Sequence, residues 1–262
     1  MEKSKSSALI KRVVTALIMA PLALAVIVLG YPVLYMAVLT VGALLAWEWS
    51  NMVPNKKPAV YGIAYVIPLA VSIMIFSSWA AWAAILATTA FVWLKARGEE
   101  HRKLLALGVP YISIGVGSLI WLYNIVGAPT TIWFVIVIWC VDIGGYVVGC
   151  NLKGPKLAPK VSPNKTWSGL FGGILFAVLA SIAYSALLGS KEAYLAFALL
   201  GALIAVVEQA GDLIESMIKR SLGLKDSSDL IPGHGGIFDR VDGMIFAAPF
   251  VVLLFRYGFL LF

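Results

Sequence analysis

Charged residues are scarce in this sequence of 262 residues: 13% are Asp, Glu, Lys or Arg, and 61% are hydrophobic. Soluble domains usually carry about 25% charged residues, so the composition excludes an ordinary soluble protein. The apolar runs approach the roughly 20 residues that one helix needs to cross a bilayer, and little chain remains between them. We therefore predict an all-α, polytopic integral membrane protein that forms a single membrane domain over residues 1–262.

Cysteine is also scarce, and Cys140 and Cys150 form no CxxC pair and have no histidine at metal-ligand spacing. We interpret both thiols as structural.

The net charge of +7 could indicate nucleic-acid binding, but the basic residues are spread over short loops without a nucleic-acid-binding motif. The paired-aspartate motif of alcohol phosphatidyltransferases is absent too. We expect the lipid bilayer as a partner and no nucleic acid.

Hydrophobic runs separated by polar residues predict nine transmembrane helices. They cover about 13–30, 32–49, 59–76, 79–94, 104–126, 130–149, 167–188, 193–215 and 243–262. The first run is longer than the apolar core of a cleaved signal peptide, so we expect it to remain as a span.

Basic residues follow an alternating pattern along these spans. Eighteen of the twenty Lys and Arg residues fall in alternate segments, the exceptions being Lys191 and Arg256. Because such residues are enriched in cytoplasmic loops, the N-terminus is predicted in the cytoplasm and the C-terminus outside. Loops 150–166 and 219–242, and the active site with them, would face the cytoplasm. Residues 1–130 would be lipid-embedded spans, and residues 131–262 would form the catalytic half.

A stripe of ionisable residues marks the predicted eighth helix. Glu208, Asp212, Glu215 and Lys219 are spaced by four, three and four residues, which places them on one helical face. An acid at mid-membrane costs roughly 2.5 to 3.5 kcal/mol, so the stripe must face a cavity, a partner or a cation. Pairing between helices would also explain Glu208 and Glu215, and that alternative stays open. Asp212 is the stronger functional candidate because Gly211 before it permits close backbone approach.

Two more acids follow at Asp239 and Asp242, one helical turn apart if the ninth helix begins there. Carboxylate oxygens suit Mg2+, which proteins bind through one or two carboxylates, water and substrate phosphates. We predict that Asp212, Asp239 and Asp242 hold Mg2+. Whether a second cation shares the site stays open.

The same loop contains the glycine-rich run PGHGG at residues 232–236. Glycines leave backbone N–H groups free to approach an anion, and nearby bases could neutralise phosphates. These bases are Lys219, Arg220, Lys225 and Arg240. The pattern predicts a site for a nucleoside diphosphate or triphosphate, in which His234 either orients the loop or touches the substrate.

A second basic loop covers residues 150–166 and, because of its Pro and Gly residues, cannot continue as a helix. Its lysines are Lys153, Lys156, Lys160 and Lys165. Attraction to anionic lipid is one account of them, but the run SPNKT at 162–166 is more specific than that role requires. Upstream, Asp142 lies within the predicted sixth span and is a functional candidate by default.

The run SMIKRSLGLKDSSDLIPGHGGIFDRVD at residues 216–242 resembles the signature of the phosphatidate cytidylyltransferases, also called CDP-diacylglycerol synthases. Asp142, KLAP at 156–159 and SPNKTW at 162–167 are similar to upstream features of that family. The resemblance covers about residues 139–243. Two positions depart from it, since Cys150 stands where a basic residue is frequent and Lys153 stands where a glycine is common.

The resemblance implies that CTP and phosphatidic acid react to give CDP-diacylglycerol and pyrophosphate, with Mg2+ as cofactor, in a bacterial inner membrane. A lipid phosphate is already an anion, so positioning and charge neutralisation carry such a reaction. The expected catalytic residues are Asp212, Asp239, Asp242, Lys219, Arg220 and Lys225. The expected substrate-binding residues are Asp142, Asn164, Lys165, His234, Gly235, Gly236 and Arg240. The oligomeric state, including a homodimer, stays open.

A cation-coupled transporter is the main alternative, because it would also place acids within spans. A transporter would spread polar residues over the full membrane depth, whereas Glu48 is the only acid in the first five predicted spans. A non-catalytic lipid-binding protein would not need acids, bases and a glycine-rich turn in one segment.

Overall fold

The computed structural model describes residues 17–75, 78–189, 191–231 and 235–257. Within these residues the fold is all-α, as predicted, apart from one small hairpin. The helices are α1 Leu17–Leu29, α2 Val33–Met52, α3 Pro58–Ile75, α4 Ser78–Lys95, α5 Arg102–Leu152, α6 Trp167–Leu187, α7 Tyr194–Ser221 and α8 Phe238–Arg256. A 3-10 turn, Lys191–Ala193, precedes α7.

Helix α5 consists of two helical arms joined at Gly127, whose backbone is not helical (φ 74°, ψ −179°). Glycine adopts positive φ without the steric penalty that a Cβ would bring, so the chain can break the helix here. This residue lies in the gap between the predicted spans 104–126 and 130–149, while the assignment of the two arms to separate spans stays a prediction.

Four helices of the described chain are long and apolar enough to cross a membrane, by length and composition. They are α2, α5, α6 and the stretch Lys191–Ser221 that includes α7. Shorter apolar helices run over Leu17–Leu29, Pro58–Ile73 and Trp79–Lys95. The helical membrane class is confirmed, while the count of nine spans and their orientation stay predictions.

The basic loop 150–166 folds into an antiparallel hairpin, formed by β1 Lys156–Ala158 and β2 Ser162–Thr166. Its register pairs Lys156 with Thr166 and Ala158 with Ser162. The next residue begins α6, and the Thr166 hydroxyl accepts a hydrogen bond from the Gly169 N–H at 3.1 Å. Because this side chain satisfies one of the unpaired donors at the helix start, it fixes where strand becomes helix.

The chain divides into two compact units. Unit 1 comprises Met1–Ile120 and Leu224–Val241, and unit 2 comprises Trp121–Gly223 and Asp242–Phe262. In unit 1, α2 packs against α3 and α3 against α4; in unit 2, α6 packs along α7 and β2 meets α6. The sequence also predicts a functional boundary at residue 130, between lipid-embedded spans and a catalytic half. This boundary concerns activity and stays a prediction.

The core of unit 1 is organised around Trp49, which is 1% exposed. Its indole N–H donates to the Leu104 carbonyl at 3.2 Å, and its ring packs against Tyr111 and Phe238. Phe238 is the first residue of α8, so an aromatic cluster anchors the start of that helix in unit 1.

Candidate functional site

The ionisable stripe predicted on the eighth span is present on α7. Glu208, Glu215 and Lys219 are buried, with exposures of 3%, 0% and 8%, while the Asp212 side chain is 26% exposed. Asp212 is therefore the acid of this stripe that a ligand can reach most easily.

Residue Lys165 of the hairpin forms an ion pair with Asp212 of α7. The Ser216 hydroxyl also donates to Asp212 Oδ1, at 3.3 Å. Since Thr166 is fixed at the start of α6, its neighbour Lys165 is held in place by the same turn. Two segments that the sequence separates by more than forty residues thus meet at one carboxylate.

Helices α7 and α8 approach closely within unit 2. A Cβ placed on Gly211 would lie 2.5 Å from Phe246 Cβ, and one placed on Gly243 would lie 2.6 Å from Glu208 Oε1. Side chains at either position would force the helices apart. This approach brings Asp242, next to Gly243, into electrostatic contact with Asp212.

Asp142 completes a group of four acids in unit 2, because the charges of Asp142, Asp212 and Asp242 all act on Glu208. Like charges in a partly buried place repel one another, and the charge of Lys165 acts on Glu208 in the opposite sense. Glu208 Oε2 is buried and has no hydrogen-bond partner among the described residues, which is unusual for a polar atom. Carboxylate oxygens are the type of ligand that Mg2+ prefers in proteins.

The described residues contain no group of three or more Asp, Glu, His or Cys side chains arranged to hold a metal by themselves.

Two bases at the end of α7 have defined partners. Lys219 Nζ lies 2.5 Å from Glu215 Oε2, and its charge also acts on Asp242. The Arg220 Nε–H donates to the Val161 carbonyl in the hairpin turn at 3.2 Å. Two of the three predicted catalytic bases therefore lie near the hairpin or the acids of unit 2.

The predicted metal ligand Asp239 lies in the first turn of α8, in unit 1. Its carboxylate accepts hydrogen bonds from the Gly236 N–H at 2.7 Å, the Ser227 N–H at 2.9 Å and the Ser227 hydroxyl at 3.1 Å. A carboxylate is favoured at a helix start, where N–H groups lack partners. Within unit 1, the Asp239 carboxylate therefore holds the preceding loop against the start of α8.

Gly235 and Gly236 are required by this folding. Gly235 has a φ of 81°, and a Cβ on Gly236 would lie 2.5 Å from Glu48 Oε1. Lys225 and Arg240 are exposed in the same unit. His234, the predicted orienting or substrate-touching residue, lies outside the described residues.

Glu48 lies inside α2 and is 1% exposed. The sequence did not single it out as a functional residue. Its carboxylate accepts hydrogen bonds from the Ile237 and Phe238 N–H groups at 2.8 and 2.6 Å and from the Ser228 hydroxyl at 2.6 Å. The available signal was its isolation, since an acid in an otherwise apolar span needs a partner.

The remaining predicted positions lie around the hairpin. Asn164 is exposed on β2. Lys153, which stands where the resembling family commonly has glycine, has a φ of 54°, the left-handed region that glycine favours. The Ser168 hydroxyl donates to the Lys153 carbonyl, so the strained residue is tied to α6. Cys150 is an exposed thiol at the end of α5.

Comparison with known proteins places the sequence among enzymes that transfer cytidylyl groups. The model of the "Cytidylyltransferase family" matches residues 10–258. A phosphatidate cytidylyltransferase of Brucella suis is 33% identical over 257 residues, covering 94% of this chain and 92% of that protein. The Pseudomonas aeruginosa protein of the same name is 33% identical over 275 residues, covering 95% and 97%. A Bacillus subtilis protein of that name is 41% identical over 119 residues, 45% of this chain and 44% of that protein.

Proposed function

The chain belongs to the cytidylyltransferase family, and from this premise we propose that it transfers the cytidylyl group of CTP to phosphatidic acid. The products would be CDP-diacylglycerol and pyrophosphate. The observation that carries the proposal is the similarity to phosphatidate cytidylyltransferases over almost the whole chain. In this proposal, the charges that such a reaction needs would come from Lys165 and from the group Asp142, Glu208, Asp212 and Asp242 of unit 2.

The chemistry asks little of the protein beyond positioning and charge. The attacking lipid phosphate is already an anion, so no base is needed to create the nucleophile. We propose that Lys165, Lys219 and Arg220 bind CTP phosphates and offset the charge that develops on the leaving pyrophosphate. Of these, Lys165 and Lys219 already contact carboxylates, which hold their ammonium groups near the acids.

Magnesium, when bound, would neutralise phosphate charge and align the reacting groups. We propose that Asp212 and Asp242 hold it, since their charges interact within unit 2 and Mg2+ commonly takes one or two carboxylates. The ligation of Mg2+ by Asp239 stays a prediction, as does a second cation. In unit 1 that carboxylate already accepts three hydrogen bonds from the loop before it.

The other predicted residues have proposed roles in nucleotide binding. Lys225 and Arg240 would bind phosphates through their exposed side chains. Gly235 and Gly236 would allow backbone N–H groups near an anion. Asp142, Asn164 and His234 would shape the nucleotide pocket.

The proposed membrane arrangement has nine spans, a cytoplasmic N-terminus and a cytoplasmic active site in a bacterial inner membrane. The acyl chains of phosphatidic acid would stay in the bilayer and enter sideways between helices. This orientation is supported by the alternating pattern, in which eighteen of the twenty basic residues fall in segments predicted to lie on one side.

The direct test is incubation of the purified full chain with labelled CTP, phosphatidic acid and Mg2+. We expect a lipid-soluble cytidine product that requires both phosphatidic acid and the metal, so reactions without lipid or with a chelator are the controls. Failure to form the product over several lipid compositions would overturn the proposal and favour transport or lipid binding.

A further inference from the structure

Glu48 is a buried carboxylate in α2 that the proposed reaction does not use. It is 1% exposed and lies in a helix that is long and apolar enough to span a membrane. Burying an acid in such a helix is unfavourable unless its oxygens are satisfied, and intramembrane acids are usually functional. The partners of Glu48 therefore indicate what it does.

Those partners all belong to one stretch of chain about 180 to 190 residues away in sequence. One carboxylate oxygen accepts the Ile237 N–H at 2.8 Å and the Ser228 hydroxyl at 2.6 Å. The other oxygen accepts the Phe238 N–H at 2.6 Å. Both oxygens thus act as acceptors at the N-terminus of α8, where the helix dipole also favours a negative charge.

Glu48 and Asp239 hold the same loop from two sides. The Ser227 hydroxyl donates to Asp239 at 3.1 Å and lies 3.5 Å from Glu48 Oε2. Gly236 donates its N–H to Asp239 and has no room for a Cβ because Glu48 Oε1 lies there. The loop is therefore clamped between a carboxylate of its own helix and one of α2.

We propose that Glu48 is a positioning residue for cytidylyl transfer. It holds the signature segment, defined as residues 224–231 and 235–241, in the conformation that presents Lys225, Asp239 and Arg240. This inference rests on the proposed function, because the reaction that Glu48 would serve is the proposed cytidylyl transfer. It follows that α2 sets the geometry of residues that are proposed to bind CTP. This helix lies in residues 1–130, which the sequence predicts to be lipid-embedded spans.

The test uses the full chain in nanodiscs with the substitution Glu48→Gln. This change keeps the size of the side chain but replaces one acceptor oxygen by an NH2 group that faces a donor. A lost hydrogen bond to a charged group costs enough to expect the KM for CTP to rise about tenfold. The KM for phosphatidic acid should stay the same, because the segment is proposed to bind the nucleotide.

Two further variants keep the result interpretable. Glu48→Asp retains both acceptor oxygens and should recover part of the CTP affinity. Ser228→Ala removes one donor to Glu48 and the acceptor of the Leu230 N–H, and should raise the KM for CTP by about threefold. Adding Ser228→Ala to Glu48→Gln should then have a smaller effect than Ser228→Ala alone. The matched control is Glu100→Gln, the same change at an exposed acid, which should behave as the unsubstituted protein.

Hydrogen exchange gives a readout that does not depend on the reaction. In Glu48→Gln, the amides of Ile237 and Phe238 should exchange about tenfold faster, whereas peptides from α6 should not change. Unaltered exchange with an unaltered KM for CTP would overturn the inference. So would a loss of kcat with both KM values unchanged and faster exchange throughout the chain, because that is the result of general unfolding.

The two proposals fail in different ways. If the unsubstituted protein makes no lipid-soluble cytidine, the proposed function is wrong, and the exchange rates alone then support or overturn the clamp by Glu48. If the unsubstituted protein is active and Glu48→Gln matches it in both measurements, only the role of Glu48 is wrong.

Discussion

Glu48 and Glu208 are both buried acids inside apolar helices, but their surroundings differ. Glu48 accepts hydrogen bonds on both oxygens from backbone and hydroxyl donors. Glu208 lies among other acids, and its Oε2 has no hydrogen-bond partner among the described residues. The first environment stabilises a buried carboxylate through hydrogen bonds, whereas in the second Glu208 is repelled by three acids and attracted by Lys165.

Asp212 is the carboxylate whose loss should affect the reaction most. Asp212→Asn removes the negative charge that pairs with Lys165 and that we propose holds Mg2+. We expect turnover of CTP to fall about a hundredfold or more, the size of effect seen when one group that stabilises charge is removed. Product formation at saturating Mg2+ measures it.

The control for Asp212→Asn is Glu192→Gln, at an exposed acid before α7. Gel filtration and thermal unfolding should show that Asp212→Asn remains folded. Turnover within threefold of the unsubstituted protein would be incompatible with Asp212 as a metal ligand.

Gly236→Ala should be harmful although the change is a single methyl group. The added Cβ would lie 2.5 Å from Glu48 Oε1 and would also meet the Ser227 hydroxyl, so the clamped loop must shift. We expect the thermal midpoint to fall and the KM for CTP to rise. Gly117→Ala is the matched control, because a Cβ there has only an ordinary contact, 3.9 Å from Leu69. Equal behaviour of the two variants would contradict the crowding around Gly236.

At the scale of elements, the hairpin and α6 form one support for Lys165. Thr166 ends β2, is 6% exposed and caps α6 through its hydroxyl. Thr166→Val keeps the shape but removes the cap, so we expect a loss of about 1 kcal/mol in the free energy of unfolding. Activity should fall as well, since Lys165 is the preceding residue.

The comparison for the cap is Thr40→Val. That hydroxyl bonds to the Met36 carbonyl one turn back in α2, at 2.8 Å, and caps no helix. Unfolding in detergent, followed by circular dichroism, should separate the two variants. A midpoint for Thr166→Val at or above that of Thr40→Val would argue against the cap.

Helices were predictable from the sequence where hydrophobic runs were long and ended in polar loops. The stripe on α7 follows from local spacing, and the non-helical Gly127 falls in the gap between two hydrophobic runs. The hairpin in loop 150–166 was not predicted, because its strands have three and five residues and carry no alternating apolar pattern.

At the scale of the whole molecule, the exposed thiol of Cys150 offers a test of orientation without adding a label site. In a Cys140→Ala background, a membrane-impermeant maleimide should modify Cys150 in inside-out vesicles and leave right-side-out vesicles unmodified. This follows from the predicted cytoplasmic position of loop 150–166.

The opposite loop supplies the control for orientation. Lys191→Cys, made with Cys140 and Cys150 both replaced by Ala, should react only in right-side-out vesicles. Labelling of both thiols from the same face would show that the number of spans between them is wrong.

The sequence alone determined that the chain is a helical membrane protein, and it predicts which residue types carry its chemistry. Composition, run length and spacing along one helix are local properties, and the signature at 216–242 is a continuous stretch. These features can be recognised without knowing how the helices pack.

Only the tertiary structure decided which donors satisfy Glu48 and which carboxylate Lys165 meets. Glu48 and Phe238 are 190 residues apart, and no periodicity in the sequence relates positions at that distance. Such contacts depend on how helices pack, and the close approaches at Gly211, Gly236 and Gly243 depend on side-chain volume in three dimensions. The positions of the acids are therefore known from the sequence, whereas helix packing determines which of them accept hydrogen bonds.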